Sequence, residues 1–467
     1  MPDVILISPH VPRIVQLRDA LPSKYLGLAY IAASLEGHGA TVEVIDGKGL
    51  GLTARQIVDQ VVEKKPLLVG FSAMTHELNR AAELASGVKE RSPAIHTLIG
   101  GAHTNALPAE TLAAFPQFDF ACCGEGELAT VQLLEALQQR RSAAGIAGIA
   151  WRDGARPVAN PRAPAIADLD RLPFPAWHLF PWTPHFPVYT ARGCPYRCNF
   201  CMRAMGSRYR ARTPDNVVAE LEVLVDKHRA TSFTFEDETF MIDRARTHRL
   251  LDLIEARGLS RLRWMANLHA KTVDEELAAR LAHAGCASIG TGVESGNEEV
   301  LARAGKGLTV EGAKSAVRTL KDAGLEVRAF FIFGHPHETW STALDTVRLA
   351  AELNPAQASF GIMVPYPDTA VADMAARGQG GYKLLSLDWA DYDKYLGNAL
   401  ELEALPRPAL ELLQILAYLW LYLKNGRLRD LAGFAWKHRG AARALAGKLA
   451  RGLLRRPVRS LPAPETP

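Results

Sequence analysis

The sequence has little of what marks a secreted or membrane-spanning protein. Only six of its 467 residues are cysteines, and the opening MPDVILISPH lacks the basic flank and cleavage site of a signal peptide. We therefore do not expect an oxidising compartment with disulfide bonds. The longest apolar run, LLQILAYLWLYL at 412–423, is too short for an ordinary transmembrane helix. These features predict a cytoplasmic protein.

The chain also lacks an excess of charge of one sign. It has 54 basic and 50 acidic side chains, and a net charge of +4 does not indicate nucleic-acid binding. Its contents of 48% hydrophobic and 22% charged residues are those of a globular protein. Because 467 residues exceed what one hydrophobic core usually fills, we expect at least two domains.

In residues 1–145, short apolar runs such as DVILISP and LLVGFSA alternate with helical patterns. This alternation predicts an α/β domain in which helices cover both faces of a parallel sheet. Ligands of such sheets bind outside the carboxyl ends of the strands. Those ends are Ser8–Pro9, Ser72–Thr75, Gly100–Gly101 and Gly124–Glu127. A nucleotide-binding Rossmann fold also fits, but no G-x-G-x-x-G follows the first strand, which makes it less favoured.

A second alternating region follows a proline-dense stretch. Residues 155–187 have little helix or strand periodicity, and we assign 146–183 to a semi-rigid linker. From Val188, six strand–helix units follow, beginning with VYTAR and ending with QASFGIMVPYP. Six units are two short of a full (β/α) barrel. We therefore predict a partial (β/α)6 barrel over 184–400 and a helical, basic C-terminal region over 401–467.

The loop ARGCPYRCNFCMRAMG, directly after the first strand of the second region, holds Cys194, Cys198 and Cys201. Thiolates bind zinc or iron–sulfur clusters, but a closed zinc site takes four ligands and no fourth Cys or His lies nearby in sequence. A cubane iron–sulfur cluster held by three cysteines keeps one iron open to a substrate. Zinc with a distant fourth ligand and unmetallated thiols are the alternatives that the residues leave open.

These motifs resemble the radical S-adenosylmethionine (SAM) superfamily. Its defining features are the C-x-x-x-C-x-x-C loop after the first barrel strand and an aromatic residue, here Phe200, before the last cysteine. SFTFEDETF, GTGVESG, FFIFGHPHET and VPYPDT are similar to its successive strand-end motifs. The N-terminal motifs KYLGLAYIAASLEGHGATVEVIDG, VGFSAMT, LIGGAHT and CGEGE resemble the cobalamin-binding module of one large branch. That branch includes class B methyltransferases and the anaerobic magnesium-protoporphyrin monomethyl ester cyclase.

The resemblance implies three cofactors: a [4Fe–4S] cluster, SAM and cobalamin. The cluster is expected on Cys194, Cys198 and Cys201. The residues expected at SAM are Phe200, Asp237 or Glu238 for the ammonium, Glu294 and Ser295 for the ribose, Arg328 for the carboxylate and Gly334 beside the adenine. The residues expected at cobalamin are Ser8, Pro9, Ser72, Thr75, His76, Gly100, Gly101, Gly124 and Glu125. The sequence lacks D-x-H-x-x-G, so no histidine below cobalt is implied, and His76 is more typical of a polar residue at a helix start. Glu236 is interpreted as a surface residue.

The function that the resemblance implies is methyl transfer to an unactivated carbon through a 5′-deoxyadenosyl radical. The alternatives are a cyclase, oxidoreductase or rearrangement enzyme of the same branch, and a cobalamin-binding sensor with a vestigial barrel. The expected partners are a small-molecule substrate, which is lipophilic in one hypothesis, and an external electron donor of the flavodoxin or ferredoxin type. No residue is assigned a catalytic role.

Three features lie outside this pattern. His337 and Asp368 stand where the family usually has glycine. The family pattern therefore does not predict the substrate contacts at these two positions. Cys122, Cys123 and Cys286 are interpreted as small buried apolar residues. The tail carries Lys437, Arg439, Arg443, Lys448, Arg451, Arg455, Arg456 and Arg459 among leucines and aromatics. It is either a solvated helical tail that packs one apolar face on the barrel or a surface for peripheral contact with anionic lipid.

Overall fold

The computed structural model describes residues 1–9, 25–47, 49–395, 397–437 and 439–440. Within these residues the chain forms two α/β units, each built on a parallel sheet. The carboxyl ends of strands in both sheets contribute to one cavity between the units, which is described below with the candidate active site.

The first unit contains seven strands and six helices. The strands are β1 (Val4–Ser8), β2 (Val42–Asp46), β3 (Leu68–Ser72), β4 (His96–Gly100), β5 (Phe120–Cys122), β6 (Ile149–Asp153) and β7 (Arg156–Ala159). The helices are α1 (Leu26–Gly37), α2 (Ala54–Lys64), α3 (Leu78–Arg91), α4 (Ala102–Ala106), α5 (Pro108–Ala114) and α6 (Gly126–Gln138). The sheet order is β2-β1-β3-β4-β5-β6-β7, and β1 to β5 are parallel. The predicted doubly covered parallel sheet is confirmed.

The sheet order reverses between β1 and β3, because the chain goes from β1 to β2 on one side and then returns to β3 on the other. Such a reversal leaves a crevice at the carboxyl ends of the strands. The five residues of β1 are all buried, which agrees with a strand covered by helices on both faces.

The hairpin of β6 and β7 was not expected from the sequence. β6 pairs antiparallel with β5, and β7 pairs antiparallel with β6, so the hairpin extends the sheet at its edge. Pro157 lies in β7, and proline is tolerated on such an edge strand because the edge needs no donor there. Residues that looked like connector therefore belong in part to the first sheet.

The second unit is the predicted partial barrel. Its sheet is formed by β8 (His185–Val188), β11 (Ser232–Phe235), β12 (Arg263–Asn267), β13 (Cys286–Glu294), β14 (Glu326–Phe333) and β15 (Gln357–Ile362). The covering helices are α7 (Pro214–His228), α8 (Arg244–Ala256), α9 (Glu275–His283), α10 (Glu298–Ala304), α11 (Val310–Asp322), α12 (Trp340–Leu353) and α13 (Ala370–Ala376). The order is β15-β14-β13-β12-β11-β8, and all neighbours are parallel.

The first barrel strand lies earlier than expected. VYTAR was predicted as that strand, but β8 ends at Val188. Ala191–Arg192 instead forms a short strand, β9, which pairs antiparallel with β10 (Arg210–Ala211). This small ribbon holds together the two ends of the cysteine loop.

Packing of the barrel follows the alternation along its strands. In β14, Val327, Ala329, Phe331 and Phe333 are buried on one face, whereas Arg328, Phe330 and Ile332 on the other face are only half-buried. Phe233, Phe235, Phe240 and Trp264 form an aromatic cluster with ring centroids 4.9 to 6.0 Å apart. The apolar faces thus form the core, and the more accessible face of β14 carries the one arginine of the strand.

The chain after the barrel returns to the first unit and then forms two helices. β16 (Tyr382–Leu384) pairs with β17 (Leu400–Leu402), and α14 (Arg407–Lys424) and α15 (Leu428–Lys437) follow. Between β16 and β17, Asn79 donates to the Asp388 carboxylate at 2.9 Å, and the Trp389 ring lies 4.6 Å from the His103 ring. The predicted basic residues from Arg443 onward lie outside the described residues.

Candidate active site

The cysteine loop lies between β9 and β10 and is fixed by its backbone. Gly193 begins the loop at φ +86°, and a Cβ there would lie 2.2 Å from the Arg208 carbonyl oxygen, so only glycine fits. The Asn199 N–H donates to the Ala304 carbonyl at the end of α10 at 3.1 Å. The loop is therefore held at its entry and in its middle before any metal binds.

The three thiols have unequal electrostatic environments. A hydrogen bond with Cys201 lowers the pKa of Cys198 to about 7, whereas that bond and burial raise the pKa of Cys201. Burial raises the pKa of Cys194. No three His, Cys, Asp or Glu side chains in the described part of the chain converge as a mononuclear metal site would require.

A cavity of about 660 Å³ opens beside the loop. Cys198 and Cys201 lie in one wall, and the PYPDT segment contributes Asp368 and Thr369 to another. Arg197 and Arg203 also line it. Two of the three cysteines therefore border open space large enough for a small ligand.

The neighbours Asp237 and Glu238 have different roles. Asp237 is buried, and its two carboxylate oxygens accept hydrogen bonds from Thr190 N at 2.7 Å, Thr190 Oγ1 at 2.5 Å and Ala191 N at 3.1 Å. Asp237 thus holds the segment that leads into the cysteine loop, and its expected contact with SAM stays a prediction. Burial raises the pKa of Asp237 to about 6, although these hydrogen bonds lower it in part.

Glu238 lies beside the cysteine loop and remains accessible. Burial among the walls of the site raises the pKa of Glu238 to about 7, and hydrogen bonds from the backbone of Met205 and Gly193 lower it in part. Glu238 is also close enough to Cys194 to raise the pKa of that thiol. Of the two carboxylates, Glu238 is the one placed to meet an ammonium group.

Glu294 is paired with a lysine that the sequence did not single out. The Lys306 Nζ lies 2.5 Å from a Glu294 carboxylate oxygen and donates to the Gly292 carbonyl at 2.6 Å. Both side chains are buried, and a Cβ on Gly292 would lie 1.9 Å from the Glu294 oxygen. Lys306 also lowers the pKa of Cys198 through its charge. Lys306 is thus a cation close to Cys198, in addition to Arg197 and Arg203 of the loop itself.

Arg328, the cation expected at the SAM carboxylate, lies elsewhere. Its Nη2 contacts the Ala266 carbonyl and the Asn267 side chain only at 3.4 Å, and its Nε is buried without a partner. Burial lowers the pKa of Arg328, and Glu236 is the first charge that opposes this shift. Glu236 was interpreted as a surface residue, and it is exposed and also lines the cavity between the two units. The described contacts of Arg328 are with the end of β12, and its assignment to the SAM carboxylate stays a prediction.

The GHPHET segment brings a second unpredicted group to the site. His335 is fully buried with its ring centroid 5.6 Å from that of Phe200, and neither ring nitrogen has a partner. Burial lowers the pKa of His335 to about 3, so the ring is neutral. An unsatisfied imidazole at this position fits a site completed by a bound polar ligand.

The other predicted residues of this region have partners within the protein. Ser295 is buried and its hydroxyl lies 3.1 Å from that of Thr346, and its expected contact with the ribose stays a prediction. The Gly334 N–H donates to the Glu338 carboxylate at 2.5 Å, and the φ of Gly334 is +94°. Glu338 is buried, which raises its pKa to about 7.

The departures from glycine have a backbone explanation. His337 and Asp368 adopt φ values of +58° and +61°, a region in which glycine carries no steric cost. Both residues therefore hold a conformation that glycine would hold more easily. Asp368 is also a wall of the cavity beside Cys198.

A second cavity, of about 420 Å³, lies between the two units. Its first wall includes six of the nine residues predicted for cobalamin, namely Ser72, His76, Gly100, Gly101, Gly124 and Glu125. Its opposite wall includes Pro187, Tyr189, Arg192, Ala204, Met205 and Glu236. Ala204 and Met205 belong to the cysteine loop, so this loop separates the two cavities.

Three residues predicted for cobalamin are not among those that line this cavity. The Ser8 hydroxyl donates to Asp46 at 2.7 Å, Pro9 is buried, and the buried Thr75 hydroxyl lies 3.3 Å from a ring nitrogen of His103. Not every glycine predicted here makes room for a ligand. A Cβ on Gly101 would lie 2.2 Å from the Ala73 carbonyl oxygen, so this glycine serves the packing of the strand ends.

Buried ion pairs join the units at the rim of the second cavity. Arg192 Nη1 lies 2.9 Å from Glu125, Arg192 Nη2 lies 2.6 Å from Glu127, and Arg210 Nη1 lies 2.8 Å from Glu125. Burial alone would raise the pKa of Glu125, but hydrogen bonds from Arg210, Ile166 and Arg192 hold it below its ordinary value. Glu125, which was predicted to make room for cobalamin, therefore holds the two units together.

The remaining cysteines agree with the prediction in two of three cases. Cys122 and Cys286 are buried, but Cys123 is only half-buried and its thiol donates weakly to the Asn105 carbonyl. Asn105 also donates through its side chain to the Ala204 carbonyl at 3.0 Å and accepts from the Gly124 N–H at 2.6 Å. It is a contact between the first unit and the cysteine loop that no sequence motif indicated.

Comparison with family models assigns both units. Residues 188–350 match the radical SAM superfamily, and residues 14–134 match the B12 binding domain. Together the matches include the cysteine loop, the predicted SAM residues and most of the first sheet.

Individual proteins extend the similarity over the whole chain. The chain is 29% identical to an uncharacterised methyltransferase of Pyrococcus horikoshii over 97% of its own length and 98% of that protein. It is 32% identical to the anaerobic magnesium-protoporphyrin IX monomethyl ester cyclase of Rubrivivax gelatinosus over 73% of its length, and it spans 64% of that cyclase.

A solved structure shows the same fold. The radical SAM methyltransferase TsrM from Kitasatospora setae, with cobalamin and a [4Fe–4S] cluster bound, superposes with a TM-score of 0.71 at 21% identity. The superposition covers 91% of this chain and 89% of TsrM. The paired domains observed here are thus the arrangement of that fold.

Proposed function

We propose, from the premise that the chain belongs to the radical SAM superfamily and carries a B12 binding domain, that it transfers a methyl group to an unactivated carbon of a small metabolite. The chain is a radical SAM enzyme whose cofactors are a [4Fe–4S] cluster, SAM and cobalamin. What is proposed here is the bond formed, the class of substrate and the residues that serve each cofactor.

The observation that carries the proposal is the double role of the cysteine loop. Cys198 and Cys201 border one cavity, and Ala204 and Met205 of the same loop border the other. The same loop would therefore contact both a cofactor held by the cysteines and a cofactor held by the strand ends of the first sheet. Methyl transfer to an unactivated carbon needs both to serve one substrate.

The residues proposed for the cluster and SAM are those whose chemistry matches these groups. Cys194, Cys198 and Cys201 supply three thiolates. Glu238 offers a carboxylate to the ammonium of SAM, and Lys306, already beside the cysteines, offers a cation to its carboxylate. His335 offers two unpartnered ring nitrogens, and Phe200 packs against it.

For cobalamin, we propose Ser72, His76, Gly100, Gly101 and Gly124 as the contact surface, because they line the inter-unit cavity. We propose 1–145 as the cobalamin-binding domain and 184–400 as the radical SAM core. Residues 149–159 extend the first sheet, so the proposed linker is shorter than 146–183.

When bound, the cluster and SAM supply a radical that removes hydrogen from carbon, and cobalamin supplies the methyl group. The protein positions these groups and keeps water out. The buried pairs of Glu125 with Arg192 and Arg210 lie at the rim of the inter-unit cavity, and Trp389, from the segment after the barrel, packs against His103 of the first unit. Glu236 and Arg328 are left on the barrel side as polar groups for a substrate.

Ring closure without methyl transfer is the second candidate, because the cyclase of Rubrivivax gelatinosus is 32% identical. A cobalamin sensor with a vestigial barrel is not supported, because six barrel strands and all three cysteines are present. Two further proposals are an external electron donor of the flavodoxin or ferredoxin type and peripheral membrane contact through the basic tail. Among the described residues, no helix is both long enough and apolar enough to cross a membrane.

The deciding experiment uses anaerobically reconstituted protein with SAM that carries a trideuteromethyl group. Metabolite extracts from cells with and without the gene are compared as sources of substrate. Methyl transfer predicts a new product that keeps the whole labelled methyl group, with both S-adenosylhomocysteine and 5′-deoxyadenosine formed. An unlabelled product formed together with 5′-deoxyadenosine alone would contradict methyl transfer and support ring closure.

A further inference from the structure

Helix α14 carries an apolar stripe on the side that faces away from the barrel. Its members recur at the spacing of one helix face and belong to the described residues Leu412, Leu416, Leu419, Trp420 and Leu423. The exposed fractions are 47% for Leu412, 38% for Leu419, 48% for Trp420 and 52% for Leu423, and on the adjoining α15 they are 61% for Leu428 and 72% for Trp436. We call these seven residues, five on α14 and two on α15, the α14 stripe. It is a contiguous apolar patch rather than scattered side chains.

The stripe is not needed to hold the helix in place. The opposite face of α14 already buries Leu410, Leu413, Ala417 and Leu421 against the barrel. Gln414 donates to the Phe360 carbonyl at 2.6 Å and fixes the helix on β15. An amphipathic surface helix would carry polar residues on its outer face, and α14 does not.

Charges on α14 are arranged around the stripe, not within it. Arg407 and Glu411 are buried and paired with each other, which leaves Lys424 as the one exposed charge of the helix. Exposed Arg429 and Arg439 follow on the next segment, and the Arg439 guanidinium lies 4.7 Å from the Trp436 ring centroid. From Arg443 to Pro467 the sequence adds four arginines besides Arg443, one lysine and a single acid, Glu465.

We propose that the α14 stripe docks on the surface of an anionic lipid membrane. Leucines with two tryptophans suit the boundary between headgroups and acyl chains, and a rim of cations without exposed acids on the helix suits anionic headgroups. A soluble protein partner of matching charge would have to be acidic and apolar at once. An anionic membrane has acidic headgroups and apolar acyl chains over its whole surface.

The docked orientation would bring the barrel mouth close to the membrane. Leu410, near the start of α14, lies against Gly334 at the carboxyl end of β14, where the SAM site begins. Arg427, after its end, donates to the carbonyls of Pro355 and Ala356 at the start of β15. The stripe therefore runs along the barrel from its mouth to its base.

The test is co-sedimentation of the full-length protein with vesicles of phosphatidylcholine alone or mixed with phosphatidylglycerol. We expect binding to the anionic vesicles that weakens as salt rises. The triple variant Leu419→Gln, Trp420→Gln and Leu423→Gln should bind about tenfold less or weaker. The matched control is Leu387→Gln, because Leu387 is 68% exposed outside the stripe, and it should bind as the unchanged protein does.

Each other result overturns the proposal. Equal binding by the triple variant would assign the contact to residues 441–467 instead of the stripe. If a chain ending at residue 440 bound while the full chain did not, the tail would be the occupant of the stripe. Light scattering that shows a dimer lost in the triple variant would assign the stripe to a second copy. Absence of binding to either vesicle would remove the idea.

Discussion

The two walls of the inter-unit cavity differ in how they can hold a ligand. The wall from the first sheet presents Ser72, Gly100, Gly101 and Gly124, and its acids include Glu125 and Glu127, which are paired with Arg192. The barrel side presents charged pairs and unsatisfied groups. The barrel unit also holds, outside the residues that line this cavity, the Glu294–Lys306 pair, the accessible Glu238 and the unpartnered His335.

This difference agrees with the size and charge of the two ligands. A large corrin can be bound through an extended contact surface, whereas SAM is small and must be oriented by its ammonium and carboxylate groups. Substitutions on one side should therefore weaken the binding of one cofactor and leave the binding of the other unchanged. The predictions below test that separation, beginning with the largest effect.

The largest effect is expected from Cys198→Ala. Removal of one of three thiolates should abolish cluster assembly and activity, because the remaining two cannot hold a cubane. Bound cobalamin, measured by its absorbance after anaerobic gel filtration, should stay within about twofold, since the first wall is untouched. Cys286→Ala is the control and should keep its iron. Full iron content in Cys198→Ala would contradict the assignment of the loop.

A smaller loss is expected from Lys306→Met. It removes the cation beside the cysteines and leaves Glu294 buried without a partner. SAM affinity, measured by calorimetry on protein that contains the cluster, should fall by about tenfold to a hundredfold. Arg328→Met should leave SAM affinity within about twofold, because Arg328 faces Glu236 instead. If the two variants exchanged these effects, the original expectation for Arg328 would be restored.

The neighbours Asp237 and Glu238 sharpen the comparison further. Asp237→Asn should lower the free energy of unfolding by about 2 kcal/mol, because the carboxylate supports Thr190 and Ala191. Glu238→Gln should leave stability nearly unchanged and weaken SAM binding. Thermal unfolding and SAM titration of both variants provide the check. The reverse pattern would show that Asp237 contacts the ligand.

The smallest effect concerns pH. Burial raises the pKa of Glu338 to about 7 in the folded protein, so protonated Glu338 is favoured by folding. Its contribution to stability is complete below the ordinary pKa and is lost as pH rises through about 7. Glu338→Gln should therefore gain about 1 kcal/mol relative to the unchanged protein between pH 6 and pH 8. Denaturant unfolding of the cofactor-free protein measures this, and a pH-independent difference would contradict it.

Order and type of the main elements could be predicted from the sequence because the alternation of apolar runs and helical patterns is local. The cysteine loop was also predictable, since its chemistry lies within eight residues, from Cys194 to Cys201. The β6–β7 hairpin was not, because its strands are short and contain proline. Its position depends on an edge that only the folded sheet creates.

Assignments of charged residues were less successful, because they depend on which partner is nearest in space. Asp237 and Glu238 are adjacent in sequence, yet one supports the strand and the other reaches the site. Lys306 follows α10 without a motif, and only the fold brings it to Glu294. His335 could have been noticed as the residue after Gly334, but its lack of partners is a property of the packed structure.

The central claim is that one loop separates a cluster site from a cobalamin site. Electron paramagnetic resonance of protein that contains both cob(II)alamin and the reduced cluster tests it most directly. We predict that the cob(II)alamin signal is broadened or split by the nearby cluster spin, and that the broadening is absent in Cys198→Ala. An unperturbed cob(II)alamin signal in protein with a full complement of reduced cluster would contradict the account.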